Sequence, residues 1–187
     1  MERRHFLTCT AAALAALAGR DAWVAELLAR PPAAAGGNVE PLTGPQTDLL
    51  AAICGALLPA TDTPGATAAG VPAFIARLYA DWMLADEQRS FRDGLADLDA
   101  GARMQHGAGF PALEPSSQLQ LLEEWDAASV AARNGGQAPT FFARVKTLAL
   151  LGYYTSEVGQ ERELHVRYGG GAGDPGGPNC TTIPMRI

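Results

Sequence analysis

Histidine and cysteine are scarce: the 187 residues contain three of each, and their placement closes off several chemistries. His5, His106 and His165 lie far apart, so no pair stands at the separation a protein metal site uses. No Cys-x-x-Cys occurs, which removes the signatures of a zinc ribbon, a dithiol redox couple and covalent haem attachment. Neither a Gly-x-Gly-x-x-Gly turn between strand and helix nor a Walker loop is present, so nucleotide cradles are missing as well. Positive charge is short. Lys+Arg number 14 against 20 Asp+Glu, a formal charge of −6. The first 35 residues hold four Arg and three acids, and the remainder carries 10 basic against 17 acidic residues. Such a domain repels phosphate backbones, and no basic stripe with interleaved aromatics offsets this, so nucleic acid is not an expected partner. A mean hydropathy of +0.01 excludes a multi-span membrane protein.

The polar residues that remain read as structural. Glu123 and Glu124 are adjacent, and adjacent helical residues do not face one another, so they make a poor acid/base pair. Ser116-Ser117 reads as a helix cap, and His106 and His165 as solvated side chains. No catalytic residue, cofactor ligand or metal ligand is expected on this chain.

What is present begins with Met1-Glu2-Arg3-Arg4-His5-Phe6-Leu7, where Arg3 and Arg4 stand just ahead of the apolar pair Phe6 and Leu7. An Ala/Leu run continues to Ala18, and Ala11–Ala18 has no polar face. Paired arginines before a modest apolar run match what twin-arginine transport reads, so the chain is expected to be exported to the periplasm. Ala33-Ala34-Ala35 and the small residues ending at Ala18 both suit processing, while Asp21–Arg30 can form a second short helix. That route carries proteins already folded, often with a cofactor inserted. A cofactor-free chain on it is best explained as the escort of a partner that holds one.

Residues 31–38 read as a flexible Pro/Ala/Gly linker. Five helices follow. The first starts at Thr43-Gly44-Pro45 with Asp48 in its first turn, places Leu49, Leu50, Ile53, Cys54 and Leu57 on one stripe, and ends at Pro59. The second runs from Pro72 to Trp82 with Phe74, Ile75, Leu78, Tyr79 and Trp82 inward. The third runs from about Asp86 to Met104, burying Phe91, Leu95 and Leu98 and exposing Arg89, Arg92, Asp93, Asp97 and Asp99, until Gly107 and Gly109 stop it. The fourth opens at Glu114-Pro115, buries Leu119, Leu122 and Trp125, and breaks at Asn134-Gly135-Gly136. The fifth runs from Pro139-Thr140 to Tyr153-Tyr154. The predicted fold is all-α, a single small helical domain over 36–168 between a signal and linker segment at 1–35 and an irregular Gly/Pro-rich arm at 169–187.

Cys9 would leave with the signal, and Cys54 reads as a buried inert thiol. Cys180 stands in the C-terminal arm, where an unpaired cysteine of an exported protein suggests an intersubunit disulfide; a Cys54–Cys180 bridge or a free thiol are the alternatives.

Two blocks carry a family resemblance. Leu57-Leu58-Pro59-Ala60-Thr61-Asp62-Thr63-Pro64-Gly65-Ala66, then Ala69-Gly70-Val71, is similar to the signature loop of the gluconate 2-dehydrogenase subunit 3 family. Phe141-Phe142, Lys146-Thr147-Leu148 and Gly152-Tyr153-Tyr154-Thr155-Ser156-Glu157 resemble its second block. The resemblance implies the small subunit of a periplasmic, membrane-associated dehydrogenase complex. In such complexes a large flavoprotein of the glucose-methanol-choline type carries FAD and oxidises a sugar, glycoside or sugar acid, and a cytochrome c subunit often takes the electrons. The small subunit serves folding, stability and export, with Thr61, Asp62, Thr63, Pro64, Gly65, Gly152, Tyr153, Tyr154, Thr155 and Ser156 as its motif and candidate partner contacts. Two other readings compete. One is an independent exported enzyme or ligand-binding protein with Asp62 as general base beside Tyr153 or Tyr154. The other is a membrane anchor that keeps its N-terminal segment.

Overall fold

The computed structural model describes residues 22–29 and 41–164. The twin-arginine segment, the linker and the C-terminal arm with Cys180 lie outside them. Among the described residues there are six α-helices and no strand: α1 (Ala22–Ala29), α2 (Gly44–Leu57), α3 (Val71–Asp81), α4 (Ala85–His106), α5 (Pro115–Asn134) and α6 (Phe141–Thr155). A short 3-10 turn (Phe110–Ala112) joins α4 to α5, and a π-helical turn (Val158–Glu163) follows α6. The all-α expectation holds, and α2–α6 are the five helices read from the sequence.

Prolines open three of these helices because the missing N–H falls where no intrahelical acceptor exists. Pro45, Pro72 and Pro115 all sit at the first or second helical position. Upstream of Pro45, the Thr43 amide donates to Gln46 Oε1 at 2.9 Å, satisfying one orphan donor. Helix α4 stops at Gly107, whose φ of 75° costs a glycine little. Asp48 falls beyond the first turn of α2, and Ser116 and Ser117 lie inside α5 behind the actual cap Glu114, so neither serine pair nor Asp48 has the terminal role expected of it.

Helix α2 takes the middle. Helix α2 packs against α3, α4, α5, α6 and the 3-10 turn, with Leu50, Ile53 and Cys54 fully buried. An aromatic chain ties the outer helices together: Tyr79 of α3 meets Phe91 of α4, Phe91 meets Phe141 of α6 edge-on at 5.3 Å, and Phe141 meets Trp125 of α5 at 6.4 Å. Gly94 lets α4 approach α6, because a Cβ there would fall inside the Phe141 ring.

Three side chains differ from expectation. Leu119 is 52% exposed, and α5 instead buries Leu121, Leu122 and Ser129. Arg92 turns inward, donating to the hydroxyl of the fully buried Tyr79 at 3.0 Å. Asp99, half-buried, accepts from the Phe110 amide at 2.8 Å and fixes the start of the 3-10 turn. Buried polar groups need partners, and these two charged residues supply them.

Candidate functional site

The loop after α2 and the end of α6 are far apart in sequence and joined in space. Tyr153, 5% exposed on the last turn of α6, directs its hydroxyl into the loop. It donates to the Pro64 carbonyl at 3.1 Å and lies 3.2 Å from Thr63 Oγ1. Thr63 donates its own proton to Glu163 Oε2 at 2.9 Å, and the single Tyr153 hydroxyl proton is directed at the Pro64 carbonyl with Thr63 Oγ1 alongside. Loop, helix end and π-helical turn are thus held by one three-residue chain of hydroxyl and carboxylate.

Local backbone closes the loop around this clasp. The Ala66 amide donates to the Leu58 carbonyl at 2.9 Å, and the Thr61 amide to the Thr63 carbonyl at 3.0 Å. Gly65 is buried where a Cβ would meet Ala60 N at 2.6 Å and the Leu58 carbonyl oxygen at 2.7 Å, so only glycine fits without movement. Gly70 follows at φ 76° and starts α3. On the α6 side, a Cβ on Gly152 would meet the Phe74 ring at 2.6 Å, so α3 and α6 cross closely there. Beyond Tyr153, Thr155 bonds back to the Leu151 carbonyl at 2.7 Å and Ser156 to the Tyr153 carbonyl at 2.6 Å, with the Gly159 amide donating to Ser156 Oγ at 3.1 Å. Gly159 is forced too, since a Cβ would collide with the Tyr153 carbonyl.

The motif residues divide accordingly. Gly65, Gly152 and Tyr153 are buried, Thr63, Pro64, Tyr154 and Ser156 half-buried, and Thr61, Asp62 and Thr155 exposed. Of the two tyrosines that could partner Asp62 in an independent enzyme, Tyr153 has its hydroxyl committed to the loop, and Tyr154 is half-buried beside it. What the arrangement does well is hold a rigid turn that presents Thr61 and Asp62. Sequence reasoning missed Glu163, which no local pattern ties to a threonine 100 positions away.

The family model described as gluconate 2-dehydrogenase subunit 3 matches residues 45–171. The chain belongs to this family. Both resembling blocks fall inside the matched span, and the clasp described above is the contact between them. The name is that of one subunit of a multi-subunit dehydrogenase, and it implies partner subunits. No curated protein and no solved structure matches the chain.

The other singled-out residues of this subunit 3 chain are placed as follows. Cys54 is a fully buried free thiol whose pKa burial pushes up to about 12. His106 is half-buried at the end of α4, with its Nε2 enclosed and without a hydrogen-bond partner, rather than solvated. Arg3, Arg4, Phe6, Leu7, His165 and Cys180 lie outside the described residues. Among the described residues no group of three His, Cys, Asp or Glu could hold a metal ion, and no helix is long and apolar enough to cross a membrane.

Proposed function

We propose that the chain is the non-catalytic small subunit of an FAD-dependent sugar, glycoside or sugar-acid dehydrogenase. It binds the large flavoprotein, stabilises its fold and supplies the twin-arginine signal that takes both to the periplasm, where a cytochrome c subunit can receive the electrons. FAD belongs to the partner in this reading. The complex is peripheral to the membrane.

One observation carries the proposal. Within the family motif Tyr153 is bonded to Thr63 and Pro64 and Gly65 is closed against backbone, so these groups are spent on shaping a rigid turn that presents Thr61 and Asp62 at the surface. A shaped surface in a subunit family is suited to contact with another chain. The paired arginines Arg3 and Arg4 and the lack of nucleotide-binding motifs support the escort role. The test is replacement of both arginines by lysine in this chain alone (R3K/R4K). The large subunit should then be retained in the cytoplasm together with this one. Normal periplasmic delivery of the large subunit would remove the escort role.

A further inference from the structure

The sequence offers two equivalent processing sites. Ala16-Leu17-Ala18 and Ala33-Ala34-Ala35 both place small residues at the first and third positions before the cut. Helix α1 lies between them, inside the 1–35 segment set apart from the domain by sequence, and upstream of the family match.

That helix is part of the packed interior. Val24 is 4% and Leu27 3% exposed, and Leu27 joins the same buried cluster as Met83 and Phe91. Trp23 packs against that cluster, and the Arg144 guanidinium of α6 stands 5.5 Å from the centre of its ring, within cation–π range. Glu26 and Ala29 face outward. An eight-residue helix is not stable alone in water, so α1 owes its order to this seat between the start of α4 and the start of α6. Trp23 Nε1 and Arg144 Nε are enclosed without a hydrogen-bond partner, and apolar burial and the cation over the ring contribute to the seat.

We infer that α1 is a permanent wall of the folded subunit and that leader removal stops short of it, at the Ala18–Gly19 bond. The cleavage half of this rests on the export reading above. Hydrolysis there by a leader-cleaving peptidase consumes one water, leaves a carboxylate on Ala18 and frees an amine on Gly19. A cut after Ala35 would instead strip Trp23, Val24 and Leu27 away, and uncover Met83 and Phe91, now 6% and 3% exposed, beside Phe141. A fresh apolar patch of that kind invites aggregation.

The test has two arms, both on the protein as it exists. Intact mass and N-terminal sequencing of the chain taken from the assembled periplasmic complex should give a start at Gly19. A start at Gly36 overturns the inference while leaving export intact. A start at Met1 sinks cleavage of the leader and leaves the wall in place, as the packing requires. In the second arm, Val24→Asp and Leu27→Asp in the full chain should each lower Tm by roughly 5 °C or more, while Ala29→Gln on the outward side leaves it unchanged. Unaltered melting of both aspartate variants overturns the wall wherever the leader is cut.

Discussion

Gly65 and Gly101 should respond in opposite directions to the same change. Alanine at Gly65 drives a Cβ into loop backbone that cannot yield cheaply, and should cost on the order of 1–3 kcal/mol. Alanine at Gly101, inside α4 with nothing within 4 Å of the added carbon, should stabilise by roughly 0.5–1 kcal/mol through helix propensity. Urea unfolding of the two variants measures both. Tyr153→Phe keeps the ring and deletes the donor, leaving the Pro64 carbonyl unpaired, and should cost about 1–3 kcal/mol. Amide exchange should quicken at Ala66 and leave the interior of α5 unaffected. Cys54 gives a pH prediction. Its folded pKa is about 12 against an ordinary 9.0, so its contribution is fully present below pH 9 and fades as pH rises from 9 towards 12, because only the unfolded thiol ionises there. Cys54→Ala should flatten that part of the stability profile. Native protein at pH 8 should resist thiol alkylation until denatured.

Helices were legible wherever local chemistry decides them. Pro45, Pro72 and Pro115 mark starts, and Gly107 and Gly136 mark ends, because a missing N–H and a tolerated left-handed turn act without tertiary help. Burial on α5 was less legible. Leu119, Leu122 and Trp125 share a spacing of three, yet at roughly 100° per residue Leu119 and Leu121 flank Leu122 on opposite sides, and only packing chooses between them. The structure chooses Leu121. Leu119→Gln should therefore change stability by less than about 0.5 kcal/mol, whereas Leu121→Ala should cost roughly 2–5 kcal/mol, both read by chemical denaturation. Arg92 and Asp99 were expected among solvent-facing charges because periodicity sees the helix and not the phenol or amide opposite. The clasp was illegible for a related reason. Its ends are 90 residues apart, and no spacing rule links a threonine in a loop to a tyrosine in a distant helix.

Among the described residues, α2 forms the hub and the other helices of the matched span pack on it. The α3–α6 crossing at Gly152 sets where the Thr61-Asp62 turn stands, and α1 closes the opposite edge near Phe141 and Arg144. Both features offer surface. In the proposed role this acidic helical domain acts by what it touches. Membership in a dehydrogenase subunit family gives that contact an expected recipient. The most direct measurement is FAD-dependent dehydrogenase activity in the periplasmic fraction of cells producing the large subunit with and without this chain. Activity should fall to background when the chain is deleted and return when it is supplied in trans; undiminished periplasmic activity in its absence would contradict a role in folding and export of the flavoprotein.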